Sequence, residues 1–365
     1  MRRRVGKQNP VDVESVSRDI KTRIDYLDSL KGFAIILVVL GHVCLGYNAA
    51  RTYPSATGAL AAIHKAIYMF HMPLFMTISG YVFHAGYLTD DGGVQRGRIF
   101  QQTLNLLLTC FLFSAMLGVL KMSAVGYTNS VTSWRDIQLI PVRPISPYWY
   151  LYVLATFYTA FAAGGAFLCR MHPAILLPAL AFLSVLGCFV DADTWFELRR
   201  SLYYSFPFGL GIMLHRSAKW IPVNAITTPL FGVGAVALAA AFWHDGRQID
   251  AIPVVNLAVG VSFTLFFWGA FSQIRILARN QALRLVGRFS LEIYVLHCIF
   301  TAGHRAVLPR LGVTNAFAGT MVNLIVSVLI PMLIGVICKF VGVHELIFKP
   351  ISYFCHKTVN RKVGR

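Results

Sequence analysis

Apolar runs of about 17–25 residues recur along this chain, separated by short gaps that hold most of its charge. A run of that length is what an α-helix needs to cross a bilayer, and only a structure that satisfies its own backbone can do so. The chain is therefore restricted to a helical bundle. Composition agrees: 56% of the 365 residues are hydrophobic and 13% are charged, with a mean hydropathy of +0.62. These values exclude a soluble enzyme and predict an all-α polytopic membrane protein. About ten transmembrane helices can be counted, at roughly 30–50, 62–87, 100–121, 148–170, 173–190, 201–214, 225–243, 252–271, 290–307 and 317–342. The sixth is short and reads as broken by Pro207 and Gly209.

The formal net charge of +18 does not point to nucleic acid, because the positive residues sit in gaps between spans and not on a soluble module. With the N-terminus inside, about 23 of the 33 Lys and Arg fall on the cytoplasmic side, which predicts N- and C-termini in the cytoplasm. Residues 1–29 form a basic N-terminal segment, 30–343 the transmembrane domain and 344–365 a basic tail. The tail and the loop with Arg275, Arg279, Arg284 and Arg288 are expected to face anionic membrane lipids. No signal-peptide h-region precedes the first span, so that span is expected to direct insertion. No internal repeat is visible, which argues against an inverted-repeat transporter. The seven cysteines lack CxxC or other metal-ligand spacing and read as small buried hydrophobes, so neither a disulfide framework nor a metal is expected.

Chemistry concentrates in two spans. In the first, eleven residues separate Lys31 from His42. On a helix that offset leaves roughly 20°, so both project from one face about 16 Å apart. Lys31 marks the membrane edge, and His42 lies deep in an apolar run, where an ionisable group is a functional candidate. Asp28 can pair with Lys31 at i, i+3. In the second span, Met69-Phe-His-Met-Pro-Leu-Phe-Met-Thr-Ile-Ser-Gly-Tyr puts His71 at similar depth beside a proline that frees a backbone carbonyl, while Ser79 and Gly80 permit a close helix contact or a polar lining. Arg96 and Arg98 follow in an inside loop and, with Lys31, would form a cationic mouth for phosphates. Packed interhelical histidines and ordinary positive-inside arginines are the plain alternatives.

The run Asp28-Ser-Leu-Lys31 with His42, then Phe70-His-Met-Pro-Leu-Phe75 and Ser79-Gly80-Tyr81, resembles the membrane-bound acyltransferase-3 family, most closely its fucose 4-O-acetylase-like and exopolysaccharide O-acetyltransferase branch. Pro147-Tyr-Trp149-Tyr-Leu151, Tyr203-Tyr-Ser-Phe-Pro-Phe-Gly-Leu-Gly211 and Gly287-Arg-Phe-Ser-Leu-Glu-Ile-Tyr-Val-Leu-His297 are similar to later segments of the family, in the same order. The resemblance implies a ten-helix enzyme of the bacterial inner membrane that moves an acetyl group from acetyl-CoA to a sugar hydroxyl of a surface or exopolysaccharide, or of its lipid-linked oligosaccharide precursor. Polysaccharide assembly machinery is an implied partner. The soluble domain fused to some members is not expected here. The family's basic residue and histidine fall on Lys31 and His42, with Lys in place of the commoner Arg.

Histidine suits a general base for an alcohol nucleophile. His42 is expected in that role, with His71 relaying, orienting or donating to an oxyanion. Lys31, Arg96 and Arg98 would hold the CoA phosphates, and His297 reads as a helix-end or packing residue. An acyl-histidine intermediate is the mechanistic alternative. A glycan transporter or flippase that uses the histidines as a proton relay is the competing class. Tyr53, Tyr127, Asn129, Trp134, Trp195 and Trp243 lie in outer loops where they would stack on sugars or simply anchor at the interface.

Overall fold

One helix, α1 (Val13–Ala49), carries Lys31 and His42 without a break, and several other helices pack against it. The computed structural model describes residues 13–88, 93–124, 132–191, 195–216, 220–244 and 252–355. These form α2 (Thr57–Tyr68), α3 (His71–Tyr87), α4 (Arg96–Ser123), α5 (Trp134–Gln138), α6 (Trp149–Arg170), α7 (Pro173–Gly187), α8 (Leu198–Tyr203), α9 (Ser205–Arg216), α10 (Thr227–His244), α11 (Pro253–Gln273), α12 (Arg275–Ala278), α13 (Gln281–Arg288), α14 (Ser290–Val307), α15 (Ala316–Val341) and α16 (His344–Phe348). No β-strand longer than the isolated Leu88–Val94 bridge occurs among the described residues.

Among the described residues, five helical stretches are long and apolar enough to cross a membrane: 25–49, 54–87, 96–123, 253–273 and 316–341. The pair α13 and α14, bent by 79°, makes a sixth if taken as one span. This is fewer than the ten read from apolar runs. Length accounts for α7, whose 15 residues make about 22 Å of helix against a hydrocarbon core of about 30 Å. The apolar helices keep wide bare faces. On α15, Phe317, Ile325, Leu329, Val336 and Phe340 are all exposed, a surface suited to acyl chains rather than water.

The sixth span differs from the expectation. Its break falls at Tyr204, between α8 and α9, while Pro207 and Gly209 lie inside α9. Pro207 occupies the first turn, where an amide hydrogen has no intrahelical acceptor to lose. The glycines of this segment serve contact instead. A Cβ on Gly211 would sit 1.9 Å from the Thr77 carbonyl oxygen, and one on Gly80 1.9 Å from that of Phe208, so α3 and α9 touch backbone to backbone.

The same device docks α13 on α1. A Cβ on Gly32 would lie 1.9 Å from the Leu283 carbonyl oxygen, and one on Gly287 1.9 Å from that of Asp28. Asn280 caps α13 by accepting from the Leu283 amide at 2.9 Å. Ser29 Oγ donates to the Ala278 carbonyl at 3.0 Å. At the other end of α1, buried Asn323 donates to Tyr47 Oη at 3.1 Å and to the Thr301 carbonyl at 3.2 Å, and accepts from Ser327. This network ties α1, α14 and α15 together inside an otherwise apolar core.

Candidate active site

Three histidines from three helices gather near Tyr68, the last residue of α2. The His42 ring on α1 meets the His297 ring on α14 edge to face, with centroids 4.9 Å apart. Tyr68 lies 6.0 Å from His42 and 4.5 Å from His71, ring to ring, and a fourth histidine, His64, packs tilted against it at 4.0 Å. His297 is fully buried and His71 nearly so. The chain break at Met69–Phe70, between α2 and α3, turns His71 toward this cluster. Pro73 sits in the first turn of α3, and Gly260 of α11 lets that helix approach the Met69 carbonyl and the Pro73 ring.

Each of the three rings is held the same way. His42 Nδ1 donates to the Val38 carbonyl at 2.9 Å, His71 Nδ1 to Ile67 at 2.9 Å, and His297 Nδ1 to Tyr294 at 2.7 Å and Ile293 at 3.1 Å. A carbonyl only accepts, so every Nδ1 carries hydrogen and every neutral ring presents a bare Nε2. The backbone thereby selects the tautomer. Nε2 of His42 faces the Tyr68 hydroxyl at 3.5 Å, and Nε2 of His297 faces the Cys298 thiol at 3.3 Å.

His297, expected at a helix end or in packing, lies mid-helix on α14 with its buried ring packed against His42. It shares a wall with His42, because α14 crosses α1 at that level. The donor atoms of His42, His297 and Cys298 also lie within 4.8 Å of one another. Imidazole and thiol at such spacing suit a soft divalent ion, a grouping that linear spacing of the cysteines did not reveal.

At the other end of the helical face, Lys31 Nζ pairs with Asp28 Oδ1 at 3.0 Å, as the i, i+3 spacing predicts. The cations beside this pair come from α13. Arg288 reaches Asp28 at 3.6 Å, and Arg284 reaches Asp25 at 2.8 Å. Arg96 and Arg98, expected to form a cationic mouth with Lys31, lie exposed in the first turn of α4. Arg98 donates to Gln95 Oε1 at 2.6 Å and lies over the Tyr87 ring. An open cavity of about 550 Å³, lined by Arg275, Arg279, Asn280 and Gln281, adjoins α13.

Ser79 Oγ and the Tyr150 hydroxyl are 2.6 Å apart, joining α3 to α6. Trp149 stacks on Tyr204 at 5.5 Å, with the Arg200 guanidinium 4.8 Å over the indole. Trp134 and Trp195 are exposed, and Tyr53 is buried against Tyr47. Tyr127, Asn129 and the Trp243 side chain lie outside the described residues. Tyr68 was not singled out by sequence, yet part of its signal is present: four residues after His64, it lies on the same face of α2.

A family model described as Acyltransferase domain matches residues 24–337. The chain belongs to the acyltransferase-3 family. That match covers both the histidine cluster and the Lys31 end. Among curated relatives, the family member is 33% identical over 151 residues to the nodulation protein NolL of Sinorhizobium fredii, covering 40% of this chain and 38% of the relative. It is 30% identical over 251 residues to the nodulation protein NolL of Mesorhizobium japonicum, covering 66% of this chain and 56% of the relative. The aligned regions therefore span about two fifths and just over half of those relatives. No solved structure matches.

Proposed function

We propose that this membrane acyltransferase moves an acetyl group from acetyl-CoA to a sugar hydroxyl of a surface polysaccharide or exopolysaccharide, or of its lipid-linked precursor, in the bacterial inner membrane. The observation that carries the reading is the bare Nε2 of His42, fixed by the Val38 carbonyl and facing the Tyr68 hydroxyl at 3.5 Å. A neutral imidazole held in one tautomer accepts a proton from an alcohol without first reorienting. The acceptor oxygen then attacks the thioester carbonyl, the oxygen–carbon bond forms, the carbon–sulfur bond breaks, and the proton held on His42 passes to the departing thiolate. In this reading the Tyr68 hydroxyl is the hydrogen-bond donor to the developing oxyanion, and His71, whose bare Nε2 has no hydrogen to give, orients the Tyr68 ring it packs against at 4.5 Å.

Lys31 holds donor phosphates at the cytoplasmic end in this reading, about 16 Å from His42 along one helix. Arg284 and Arg288 of α13 neighbour Lys31 and share this work more readily than Arg96 and Arg98 do. Ten spans, cytoplasmic termini and contact with polysaccharide assembly machinery complete the proposal.

The test is thioester cleavage by the purified full chain in lipid nanodiscs, followed as free thiol release from acetyl-CoA with and without a glycan acceptor. Acceptor-dependent release that His42→Ala abolishes, at normal insertion levels, supports the reading. Release that is absent in the native chain, while glycan crosses a sealed vesicle, makes it a transporter. Labelled acetyl trapped on His42 without acceptor would replace direct transfer by an acyl-histidine route.

A further inference from the structure

Two of the bare imidazole nitrogens meet a sulfur. One donor atom from each of His42, His297 and Cys298 lies within 4.8 Å of the others. Both Nδ1 atoms are engaged as donors to backbone carbonyls, so the lone pair that each ring offers is on Nε2. The Cys298 sulfur already stands 3.3 Å from His297 Nε2. Around a tetrahedral zinc-type ion, bond lengths of about 2.0–2.3 Å set neighbouring donors roughly 3.3–3.6 Å apart. The pair on α14 fits that spacing as it stands, and no pair of the three has to close by more than about 1.5 Å.

The surroundings of the three residues suit ligation better than packing. A ligating histidine needs its other ring nitrogen held by an acceptor, which fixes the ring and makes the ligating nitrogen more basic. The Val38 carbonyl does this for His42, and the Tyr294 and Ile293 carbonyls do it for His297. A histidine that only packs between helices usually has both nitrogens satisfied. Here His42 Nε2 has the Tyr68 hydroxyl at 3.5 Å, the outer limit for such a bond, and His297 Nε2 has a thiol, a weak donor. His297 is fully buried, whereas His42 and Cys298 are half-buried, so two of the three ligands keep the accessible surface that an entering ion needs. Two imidazoles and a thiolate favour zinc or cobalt over magnesium or calcium.

We infer that His42, His297 and Cys298 form a binding site for a soft divalent ion of the zinc class, and that the bound ion switches acetyl transfer off by taking the lone pair on His42 Nε2. The off-switch rests on the transferase reading; the ion site does not. Binding is an exchange without electron transfer: the S–H bond of Cys298 breaks, its proton passes to water, and a sulfur–metal bond forms in its place. The two imidazole lone pairs make three protein ligands, and a water takes the fourth position. While the ion is bound, His42 has no lone pair left for the proton of an alcohol. Metal occupancy and base catalysis therefore exclude each other, and withdrawing the ion restores the base.

The test uses the full chain in nanodiscs, freed of any purification tag and stripped of metal with a chelator. Cobalt(II) is titrated first, because a cobalt–thiolate bond gives a charge-transfer absorption that nitrogen and oxygen ligands do not. One equivalent is expected to produce the band, zinc to remove it by displacement, and magnesium to leave it unchanged. Cys298→Ala should lose the band, and His297→Gln should weaken cobalt binding at least tenfold, so that each variant covers for the other should one misfold. Zinc should then suppress CoA release from acetyl-CoA, read by chromatography after a chelator quench, and chelation before the quench should restore it. In Cys298→Ala, measured against its own zinc-free rate, the half-inhibiting zinc concentration should rise tenfold or more. A native chain without the band overturns the ion site, as does a band that survives both substitutions. Zinc that leaves CoA release unchanged or raises it, with the band present, overturns the off-switch. A band in a chain that never releases CoA would instead sink the transferase reading and leave the ion site standing.

Discussion

Adding one methyl group at Gly32 tests whether the docking of α13 on α1 builds the cytoplasmic end of the site. In Gly32→Ala the new Cβ would stand 1.9 Å from the Leu283 carbonyl oxygen and 2.7 Å from its carbon. Ordinary contact begins near 3.4 Å, so the two backbones must part by about 1.5 Å. Neither atom belongs to a flexible side chain, and the displacement therefore passes to the helices. Overpacking of this kind costs about 1–3 kcal/mol. The separation also pulls Arg284 from Asp25 and Arg288 from Asp28, pairs now at 2.8 and 3.6 Å. A misplacement of about 1 Å at a positioning element can cost roughly 100-fold in rate. The expected outcome is a lower unfolding temperature and a drop in kcat/KM of ten- to a hundred-fold for the donor. The assay is nanodisc thermal unfolding alongside thiol release. Gly303→Ala is the control, since a Cβ there meets nothing within 4 Å and a mid-helix glycine-to-alanine change stabilises by roughly 0.5–1 kcal/mol. If Gly32→Ala matched Gly303→Ala in both measurements, the close backbone contact would not be as described.

Other substitutions probe separate parts of the argument. Tyr68→Phe removes the hydroxyl facing His42 while keeping the ring that packs on His64 and His71, so kcat should fall at least tenfold with the unfolding temperature unchanged; an unaltered kcat removes the hydroxyl from the chemistry. Lys31→Gln should raise the KM for acetyl-CoA tenfold or more and leave saturating kcat within about threefold, with Lys31→Arg close to native; equal KM values in all three proteins would dismiss the phosphate role. Asn323→Leu removes the donor to buried Tyr47, which keeps its bond to the Gly319 carbonyl, and the acceptor for buried Ser327, and should cost about 1–3 kcal/mol, seen as a lower unfolding temperature that the additional change Ser327→Ala worsens little.

The break before His71 was legible from Pro73, and the Lys31–His42 face from a count of residues on one helix. The Asp28–Lys31 pair was legible for the same reason, because i, i+3 neighbours on a helix must meet. His297 was not: its partner lies 255 positions away in the chain, and periodicity carries no information about which helix crosses which. The pairing of Arg284 with Asp25 and of Arg288 with Asp28 was not legible either, because a positive-inside loop places charge on a side of the membrane without choosing its neighbours. Glycine identity was visible at positions 32, 80, 211 and 287, but the pairing of those glycines was not.

Local sequence thus determined the membrane class, the family and the depth of His42, since each depends on hydropathy or on motif spacing along a single helix. Tertiary packing alone decided that His297 and Tyr68 flank His42, that Arg284 and Arg288 of α13 pair with the acidic residues beside Lys31, and that Arg199 and Arg200 line a cavity together with Tyr68. Those choices belong to backbone contacts between distant helices, and a glycine fixes them only when its partner arrives.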